Sequence, residues 1–589
     1  MKKADRTVRY IEIFFFLGLF IFSTILTLKQ HKDRGILNWR SEIWTDMAGY
    51  YVYLPATFYY HFDGKKAPPD IDVKSGSGFL IDRTRNTIVT GYYYGVALLV
   101  SPFFFAAHAI SQITKIDEMG GFAIIYNKVF DVASVFYLVL GLFFLKRFLK
   151  NYFEEYMQYI IILLTFLGTN LFYYSIEVTL ISHVYSFFVI GVFLYSMKEF
   201  LKDINHYRYF LLMAIAFAVM FIIRPTNCLI GLIFLFLDCK SRCEIKDRLK
   251  LILRPKYSIL LIIIMFVMFI PQMVFWKIMR GSFIYLKYGE GFPFWNHPKF
   301  AEVWFSTLNG LVPWSPLTLF FMIGMLYMVI KRYGNGIFIL SFFLLISYMA
   351  AAYKFWYYGC GYGHRAFIEF MPVFCIPFGY LVKDIINSKK IIIIFLFSLV
   401  VIFMTFFNAR LSLISDKCNF GSTWDWDYYY KQVSKIKLFP QRTLPYIFKN
   451  DFENEAIYDG TNVTDSVHHS GSYCAVIGPK DEISCRHSAM IWDFNGKYAK
   501  YIRVELWVKE TEPGPINAYL VSSFLKNNII VNLQSLPIEP LAGKANSWKR
   551  VVRTFYIPRD LPGECQMNFH VWNKGEKTFF VDDVKIKYE

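Results

Sequence analysis

Long apolar runs with few charged residues decide whether this chain folds in water or in a membrane. Twelve of them fill most of the first 410 residues, and several are long enough to cross a hydrocarbon core about 30 Å thick as helices. Apolar types make up 55% of the 589 residues and charged types only 18%, whereas soluble domains hold about 25% charged residues. The sequence predicts a polytopic α-helical membrane protein, with apolar runs at 13–28, 92–112, 121–145, 157–175, 182–197, 209–223, 226–238, 257–276, 313–330, 336–352, 367–382 and 391–408.

The net charge of +18 has two readings. In a soluble protein it would suggest a nucleic-acid partner, but here the basic residues form short clusters between apolar runs, which is how membrane proteins record their orientation. We therefore expect a lipid bilayer and no nucleic acid among the partners. The nine cysteines are scattered and contain no C-x-x-C spacing, which excludes a disulfide scaffold and a zinc ribbon.

The basic clusters predict the direction of the crossings. They all lie on the cytoplasmic side if the run at 92–112, which Ser101–Pro102 interrupts, is half-inserted or lies on the membrane surface. This arrangement predicts about eleven crossings, a retained N-terminal anchor with a cytoplasmic N-terminus, and an outward C-terminus. Twelve crossings are the alternative, which would place the first cluster outside. The clusters are Lys146, Arg147 and Lys150; Lys198, Lys202 and Arg208; Lys240, Arg242, Lys246, Arg248, Lys250, Arg254 and Lys256; Lys331 and Arg332; and Lys383, Lys389 and Lys390.

One pair of crossings is unusually short. As helices, the runs 209–223 and 226–238 would each cover only about 20 Å of the core, so the turn between them would lie below the outer membrane surface. That turn contains Arg224, and an arginine at such depth is costly unless it lines a wet cavity or meets an anion. The alternative is that Arg224 extends its side chain to the membrane interface.

The sequence changes character near residue 451, where strand patterns replace the apolar runs. These patterns predict an all-β jelly-roll sandwich at 451–589 after a transmembrane domain at 1–410 and a juxtamembrane linker at 411–450. Cys474 and Cys485 could pair there in an oxidising compartment. Apolar and polar residues alternate with a period of two at 501–508, 548–556, 566–572 and 578–588.

Three outward segments of the transmembrane domain are long enough to form a site, at 29–91, 277–312 and 353–366. The first extends over 29–120 if the run at 92–112 does not cross. The last is rich in glycine, as in a loop folded closely around a ligand, although a flexible connector would look similar.

The first outward loop holds a carboxylate beside a dense aromatic patch. Asp46 is followed by Tyr50, Tyr51 and Tyr53, and flat rings with a few fixed hydrogen-bonding groups are what bind sugars. The alternative is that Asp46 caps a short interfacial helix whose tyrosines belong to the aromatic belt of the membrane. No Walker loop, dinucleotide fingerprint or H-E-x-x-H string occurs, so a nucleotide-driven pump has no support.

Six strings within residues 1–410 carry a family resemblance: Trp44–Ala56, Gly91–Phe104, Ser182–Ser186, Arg224–Asn227, Asn309–Pro316 and Gly361–Arg365. Their order resembles the GT-C superfamily, bacterial membrane glycosyltransferases that take a sugar from a polyprenyl-phosphate carrier. In that family an acidic residue lies in the first outward loop, where this chain has Asp46. The sequence departs from the family pattern because Asp46 stands alone rather than in an acidic pair, and no lysine-rich Pro-Pro-Leu string follows.

The resemblance implies roles for particular residues in an inverting sugar transfer. Asp46 would be the general base that takes the proton of the acceptor hydroxyl. Arg224 and Arg365 would bind the donor phosphate, because a guanidinium group matches phosphate geometry. No cofactor is required by this scheme, no metal ligand is predicted in the transmembrane domain, and a divalent cation is left open. The residues expected to contact substrate are Tyr50, Tyr51, Tyr53, Glu177, His183, Trp356 and His364.

The C-terminal domain has a looser resemblance of its own. Asp582 and Asp583 near the closing strand, with Trp548 and Trp572 before it, resemble the galactose-binding-like modules that accompany carbohydrate enzymes. This implies a carbohydrate-binding-module-like domain and a structural calcium ion between Glu453 and Asp582. The alternative is that the acidic pair is simply solvated.

The sequence therefore predicts a glycosyltransferase of the bacterial inner membrane. It would transfer sugar from a polyprenyl-phosphate donor to a glycan, lipid or protein acceptor on the periplasmic side, with Asp46 facing the arginines across a sugar-sized, water-filled hollow. One alternative is an O-antigen-type polymerase or ligase, which relies on arginines in one large late loop. Another is a non-enzymatic glycolipid transporter, which would show inverted repeats. The single short helix pair and the large first loop favour the enzyme.

Overall fold

The structure is a computed structural model in which the chain forms two compact units. The first comprises Met1–Lys32 and Ile36–Ile436, and the second comprises Asp33–Gly35 and Lys437–Glu589. The structure describes residues 2–588 except 33, 39, 116–118, 286–290, 416–421, 437–446, 454–460, 482, 492–498, 500, 513–515, 527–528, 539–545, 559–560 and 562–564.

The first unit is helical, and each predicted apolar run lies largely in helix. Among the described residues, seven helices are long and apolar enough to cross a membrane by length and composition, and five shorter apolar helices accompany them. The α-helices of six or more residues are α1 Lys2–Gln30, α2 Asp46–Tyr51, α3 Gly95–Thr114, α4 Ile124–Leu149, α5 Glu155–Gly168, α6 Leu171–Ile176, α7 Ser182–Lys202, α8 Tyr207–Ile223, α9 Gly231–Phe236, α10 Arg242–Ile252, α11 Pro255–Arg280, α12 Phe300–Phe305, α13 Thr318–Ile330, α14 Gly336–Ala352, α15 Met371–Asn387, α16 Ile391–Ile414 and α17 Trp426–Val433.

The run predicted to be interrupted at Ser101–Pro102 is one continuous helix, so that prediction is wrong. Pro102 lies inside α3 and has no N–H to donate to the carbonyl of Leu98. The hydroxyl of Ser101 donates to that carbonyl oxygen instead, at 2.8 Å. The lost backbone bond is thereby replaced, and α3 is long and apolar enough to cross a membrane. The number of crossings stays a prediction.

The short helix pair is present as predicted. Arg224, with an extended backbone, ends α8, and Pro225 opens a 3-10 turn over Pro225–Ile230 that leads into α9. Proline disfavours helical geometry in the residue before it, which explains the break at Arg224. α8 has 17 residues, a length of about 26 Å, so it is shorter than the hydrocarbon core.

Close backbone approach fixes the first loop, which follows α1. β1 Phe79–Asp82 and β2 Thr87–Thr90 form a hairpin beside α2. A Cβ atom on Gly78 would lie 1.7 Å from the carbonyl oxygen of Thr45, and one on Gly49 would lie 2.3 Å from the ring of Tyr92. Only glycine allows these approaches, which hold Tyr92 against the helix that begins at Asp46.

The second unit is an all-β sandwich of two sheets. One has the strand order β10-β7-β12-β5-β4, with β3 also paired to β12, and the other has the order β6-β11-β8-β9. The four predicted strands are confirmed as β7, β10, β11 and β12, whereas the other strands of this unit were not predicted. The strands are β3 Ile447–Asn450, β4 Val463–Thr464, β5 Cys474–Ile477, β6 Ser484–Met490, β7 Tyr501–Glu510, β8 Ala518–Lys526, β9 Ile529–Pro537, β10 Trp548–Tyr556, β11 Gln566–Asn573 and β12 Phe579–Tyr588.

Two sequence predictions about this part of the chain need correction. Cys474 and Cys485 are both buried free thiols, and the Cys474 thiol donates to the carbonyl oxygen of Val467, so the predicted pairing is absent. The segment 411–450, predicted as a linker, contains the end of α16, all of α17 and β3, and the first unit continues to Ile436.

A buried charge cluster joins the N-terminal helix to α4, and removing its acid should destabilise the first unit. Glu12 accepts from Lys146 at 3.0 Å and from Arg147 at 2.8 Å, and its side chain is only 11% exposed. Glu12→Gln should lower the free energy of unfolding by about 2 kcal/mol, because the carboxylate that accepts hydrogen bonds from both Lys146 and Arg147 loses its charge. Thermal unfolding of the detergent-solubilised chain measures this.

The matched control is Glu199→Gln. Glu199 pairs with Lys202, whose side chain is 56% exposed, and an exposed pair contributes less than about 1 kcal/mol. Equal melting temperatures for the two variants would contradict the assignment of Glu12 as a stabilising charge.

Candidate active site

Asp46, the predicted base, lies at the first residue of α2 and has two charged or polar partners. Its Oδ1 accepts from the hydroxyl of Tyr92 at 2.5 Å, and its Oδ2 accepts from Nη2 of Arg365 at 3.3 Å. The carboxylate is 35% exposed. It is therefore oriented by fixed donors on two sides and still open to an incoming molecule, as a catalytic carboxylate needs to be.

Arg365 is more enclosed than its partner, with a side chain that is 14% exposed. Its Nη2 donates to Oδ2 of Asp46, while its Nε is buried and has no hydrogen-bond partner within the described residues. A buried guanidinium N–H without an acceptor is costly, so this atom is a vacant donor for an anionic oxygen. The structure brings Asp46 and Arg365 into direct contact rather than separating them by the width of a sugar.

Arg224, the second predicted arginine, meets an anion. Its Nη1 donates to Oε1 of Glu369 at 3.1 Å, and the same oxygen accepts from Nδ1 of His183 at 2.9 Å. Glu369 is 3% exposed, and Arg224 is 22% exposed. The arginine also lies over the ring of Tyr358, with 5.9 Å from Cζ to the centroid. Its charge is compensated inside the protein, which offsets the cost of its partial burial.

One short segment carries both halves of this charge arrangement. Arg365 and Glu369 lie four residues apart in the 3-10 turn Arg365–Phe370, which continues into α15. Arg365 contacts Asp46 from the first loop, and Glu369 contacts Arg224 from the turn after α8. Two acids and two arginines balance one another, so the four side chains carry no net formal charge.

Glu369 is a site residue that the sequence analysis missed. It lies inside the run 367–382, which reads as apolar, and a lone carboxylate inside such a run needs a cation partner. That rule would have singled it out. His183, predicted to contact substrate, instead lies 2% exposed against Glu369 at the start of α7.

His364 and Trp356 lie together in the loop before Arg365. Nε2 of His364 contacts the carbonyl oxygen of Trp356 at 2.8 Å, which places the ring proton on that nitrogen. Burial lowers the pKa of His364 to about 4, so the ring is neutral at pH 7. Its Nδ1 is then an acceptor, and it is buried without a partner among the described residues. The ring is enclosed beside the site, and Trp356 is 4% exposed.

The three tyrosines predicted to bind sugar have different surroundings. Tyr50 packs on Tyr92 with 4.5 Å between ring centroids, so it borders the carboxylate of Asp46. Tyr51 and Tyr53 are 0% and 2% exposed, and their hydroxyls donate to the backbone oxygens of Gly121 and Tyr92 at 2.5 Å. Those two rings build the loop core and are not placed to contact a sugar.

Glu177, also predicted to contact substrate, lies against the N-terminal helix. Its Oε1 accepts from the amide of Gln30 at 2.8 Å, and the residue is 3% exposed. This contact ties the segment after α6 to the end of α1. The structure thus gives Glu177 a packing partner away from the Asp46–Arg365 pair.

A buried group below the first loop tests whether a divalent cation fits. His31, Glu42 and Asp131 form the one such cluster of metal-capable side chains in the described part of the chain. Nδ1 of His31 lies 2.6 Å from Asp131 Oδ1 and 3.0 Å from Glu42 Oε1. The ammonium of Lys128 lies 2.9 Å from Glu42 Oε1 and already supplies a cation there. The group is therefore a buried hydrogen-bonded network in which one ammonium partly compensates two carboxylates.

The predicted calcium position in the second unit is held differently. Both oxygens of Asp582 accept backbone N–H groups, Oδ2 from His469 at 2.8 Å and Oδ1 from Asp583 at 2.7 Å. Oε1 of Glu453 accepts the N–H of Ser472 at 2.6 Å. Backbone N–H groups already occupy both oxygens of Asp582 and one oxygen of Glu453, and a calcium ion at this position stays a prediction.

Comparisons with known proteins give no family, and the matching solved structures are distant. No protein-family model matches the chain, and no curated protein matches it. The apo oligosaccharyltransferase of Archaeoglobus fulgidus is 12% identical with a TM-score of 0.41, over 72% of this chain and 60% of that one. The CBM22-1 xylan-binding domain of Paenibacillus barcinonensis Xyn10C is 14% identical with a TM-score of 0.19, over 25% and 96%. A family 16 carbohydrate binding module is 15% identical with a TM-score of 0.16, over 23% and 89%.

Proposed function

We propose that this chain is a membrane glycosyltransferase that moves a sugar from a polyprenyl-phosphate donor to a hydroxyl of a glycan, lipid or protein acceptor. The observation that carries the proposal is the pair formed by Asp46 and Arg365. A partly exposed carboxylate, oriented by Tyr92, touches a guanidinium group that still has a buried vacant donor. A base and an anion-binding group side by side are what sugar transfer from a phosphate requires.

In the proposed reaction the acceptor oxygen attacks the anomeric carbon of the donor sugar. The bond from that carbon to the phosphate oxygen breaks, and its electron pair leaves with the lipid phosphate. The proton of the acceptor hydroxyl passes to Asp46. Arg365, with Arg224 beyond Glu369, stabilises the charge on the departing phosphate, and attack on the face opposite the phosphate inverts the anomeric centre.

The chemistry of the loop that carries Arg365 supports one side of the membrane over the other. Cys360, five residues earlier, is disulfide-bonded, and such bonds persist in oxidising compartments. This supports an outward, periplasmic site. It also agrees with the crossing order that the basic clusters favour.

The second unit offers a surface suited to a glycan chain. On β11, the residues facing away from the core alternate with buried ones, and Trp572 at the end of this row pairs across strands with Tyr519 at 6.2 Å between ring centroids. Further along, the hydroxyl of Ser488 donates to Asn568 at 2.7 Å. An aromatic pair followed by amides and hydroxyls provides ring stacking and directional hydrogen bonds, the two components of sugar recognition.

Asp46→Asn should reduce sugar transfer by about 10²-fold or more, because the amide cannot accept the acceptor proton. The measurement is transfer of labelled sugar from a polyprenyl-phosphate donor to an acceptor by the purified chain in proteoliposomes. Asp70→Asn is the matched control, since Asp70 is a 57% exposed acid of the same loop. Normal turnover by Asp46→Asn would remove the base assignment.

Arg365→Ala should weaken donor use more than acceptor use, because it removes the guanidinium group beside the departing phosphate. We expect kcat/KM for the donor to fall about 10²-fold or more, with a smaller change for the acceptor. Arg83→Ala, which removes a 78% exposed arginine of the first loop, should change neither. Equal losses for donor and acceptor in Arg365→Ala would contradict a phosphate-binding role.

Trp572→Ala should weaken glycan binding by the full chain about 10-fold or more, since stacking on an aromatic ring is lost. Isothermal titration with soluble oligosaccharides measures the affinity. Trp548→Ala is the matched control, because Trp548 belongs to the other sheet and its indole N–H donates to the backbone of His468 at 3.0 Å. Retained affinity in Trp572→Ala, or an equal loss in both variants, would reject this face as the binding surface.

A further inference from the structure

Four of the seven residues of the richest basic cluster lie in one amphipathic helix, α10, which follows α9 and precedes α11 in the chain. Ser241 caps its start by accepting the N–H of Glu244 at 3.3 Å, and the carboxylate of Glu244 accepts the N–H of Lys240 at 3.1 Å. These two bonds stabilise the first turn. The start of the helix is therefore fixed by these local contacts.

Arg248 attaches α10 to the rest of the first unit. Its Nη1 donates to the carbonyl oxygens of Phe234 at 2.9 Å and Leu237 at 2.6 Å, at the end of α9. Leu251 is buried at 9% exposure on the same inner side. Arg248 thus has a structural task, unlike the other basic residues of the helix, which are exposed.

The opposite face combines exposed leucines with basic side chains. Leu249 and Leu253, four residues apart, are 45% and 63% exposed. Arg242, Lys246 and Lys250 follow one another at the same four-residue spacing and are all exposed, so they share this face of the helix. Apolar side chains bordered by lysine and arginine form the pattern of a helix that lies in the membrane interface.

The position of α10 fits that pattern. α11 begins at Pro255, two residues after Leu253, and is the least buried of the candidate spans in the described residues, with 6% of an 18-residue stretch buried. A membrane-crossing helix that starts two residues after Leu253 puts the exposed leucines at the level where the hydrocarbon region begins. The basic side chains are then at the level of the lipid headgroups.

We propose that α10 lies in the headgroup layer of the leaflet where α11 begins and binds anionic phospholipids through Arg242, Lys246 and Lys250. Charge complementarity selects this occupant, since these side chains are cationic and the acids Glu244 and Asp247 lie toward the other sides of the helix. The exposed leucines lie next to the candidate span α11, so the same bilayer would bury both. A soluble acidic partner would not bury α11. This inference is independent of the enzymatic proposal.

The first test is lipid selectivity. The full chain is reconstituted in phosphatidylcholine bilayers, and its association with spin-labelled phosphatidylglycerol and phosphatidylcholine is compared. Wild type should prefer phosphatidylglycerol, and Lys246→Gln with Lys250→Gln should reduce that preference about fivefold or more. Lys65→Gln with Lys66→Gln, two exposed lysines of the first loop, is the matched control and should retain it.

The second test is depth, which does not depend on charge. A nitroxide is attached at Leu253→Cys or at Asp247→Cys, in a chain whose exposed Cys228 and Cys243 are serine. In bilayers, the label at 253 should collide mainly with oxygen, and the label at 247 mainly with a water-soluble nickel complex. A label at 253 in water, or a lipid preference unchanged by the lysine substitutions, would overturn the proposal and leave this face to a soluble partner.

Discussion

Burial of opposite charges at one place is the constraint on which the first unit depends. Arg224 and Arg365 come from different parts of the chain, and each would be costly at partial burial without an anion. Asp46 and Glu369 supply those anions, at 3.3 Å and 3.1 Å. The loop after α1, the turn after α8 and the segment before α15 must therefore meet for any of these charges to be tolerated. The candidate active site therefore lies where folding requires these four charges to meet.

Sequence reasoning reached the parts of this arrangement that leave a local signal. Asp46 stands out beside an aromatic patch, and the shortness of the paired helices singles out Arg224. Glu369 was missed because it was treated as part of an apolar run, although a buried carboxylate requires a partner that local sequence does not name. Contacts between residues more than 100 positions apart, such as His183 with Glu369, are set by helix packing and have no local signature.

The remaining errors have the same kind of physical origin. Pro102 suggested a break because proline removes a helical hydrogen bond, but the neighbouring hydroxyl of Ser101 replaces it. Tyr51 and Tyr53 read as sugar-binding rings, yet their hydroxyls bond to backbone carbonyl groups inside the loop. In both cases one side-chain oxygen decides the outcome. Residue type and spacing cannot show where such an atom points. Long apolar runs and period-two strands were predicted correctly because each pattern extends over many residues.

The contact between Asp46 and Arg365 also limits how the proposed reaction can begin. A phosphate that binds the vacant Nε of Arg365 and also reaches Nη2 would compete there with Oδ2 of Asp46, whose contact of 3.3 Å is longer than a strong charged hydrogen bond. Oδ1 keeps the hydroxyl of Tyr92 at 2.5 Å, so the carboxylate remains oriented while its other oxygen is released. Gly49 fixes Tyr92 in turn, because its missing side chain is what admits the ring. Donor binding would thereby free the base without displacing it.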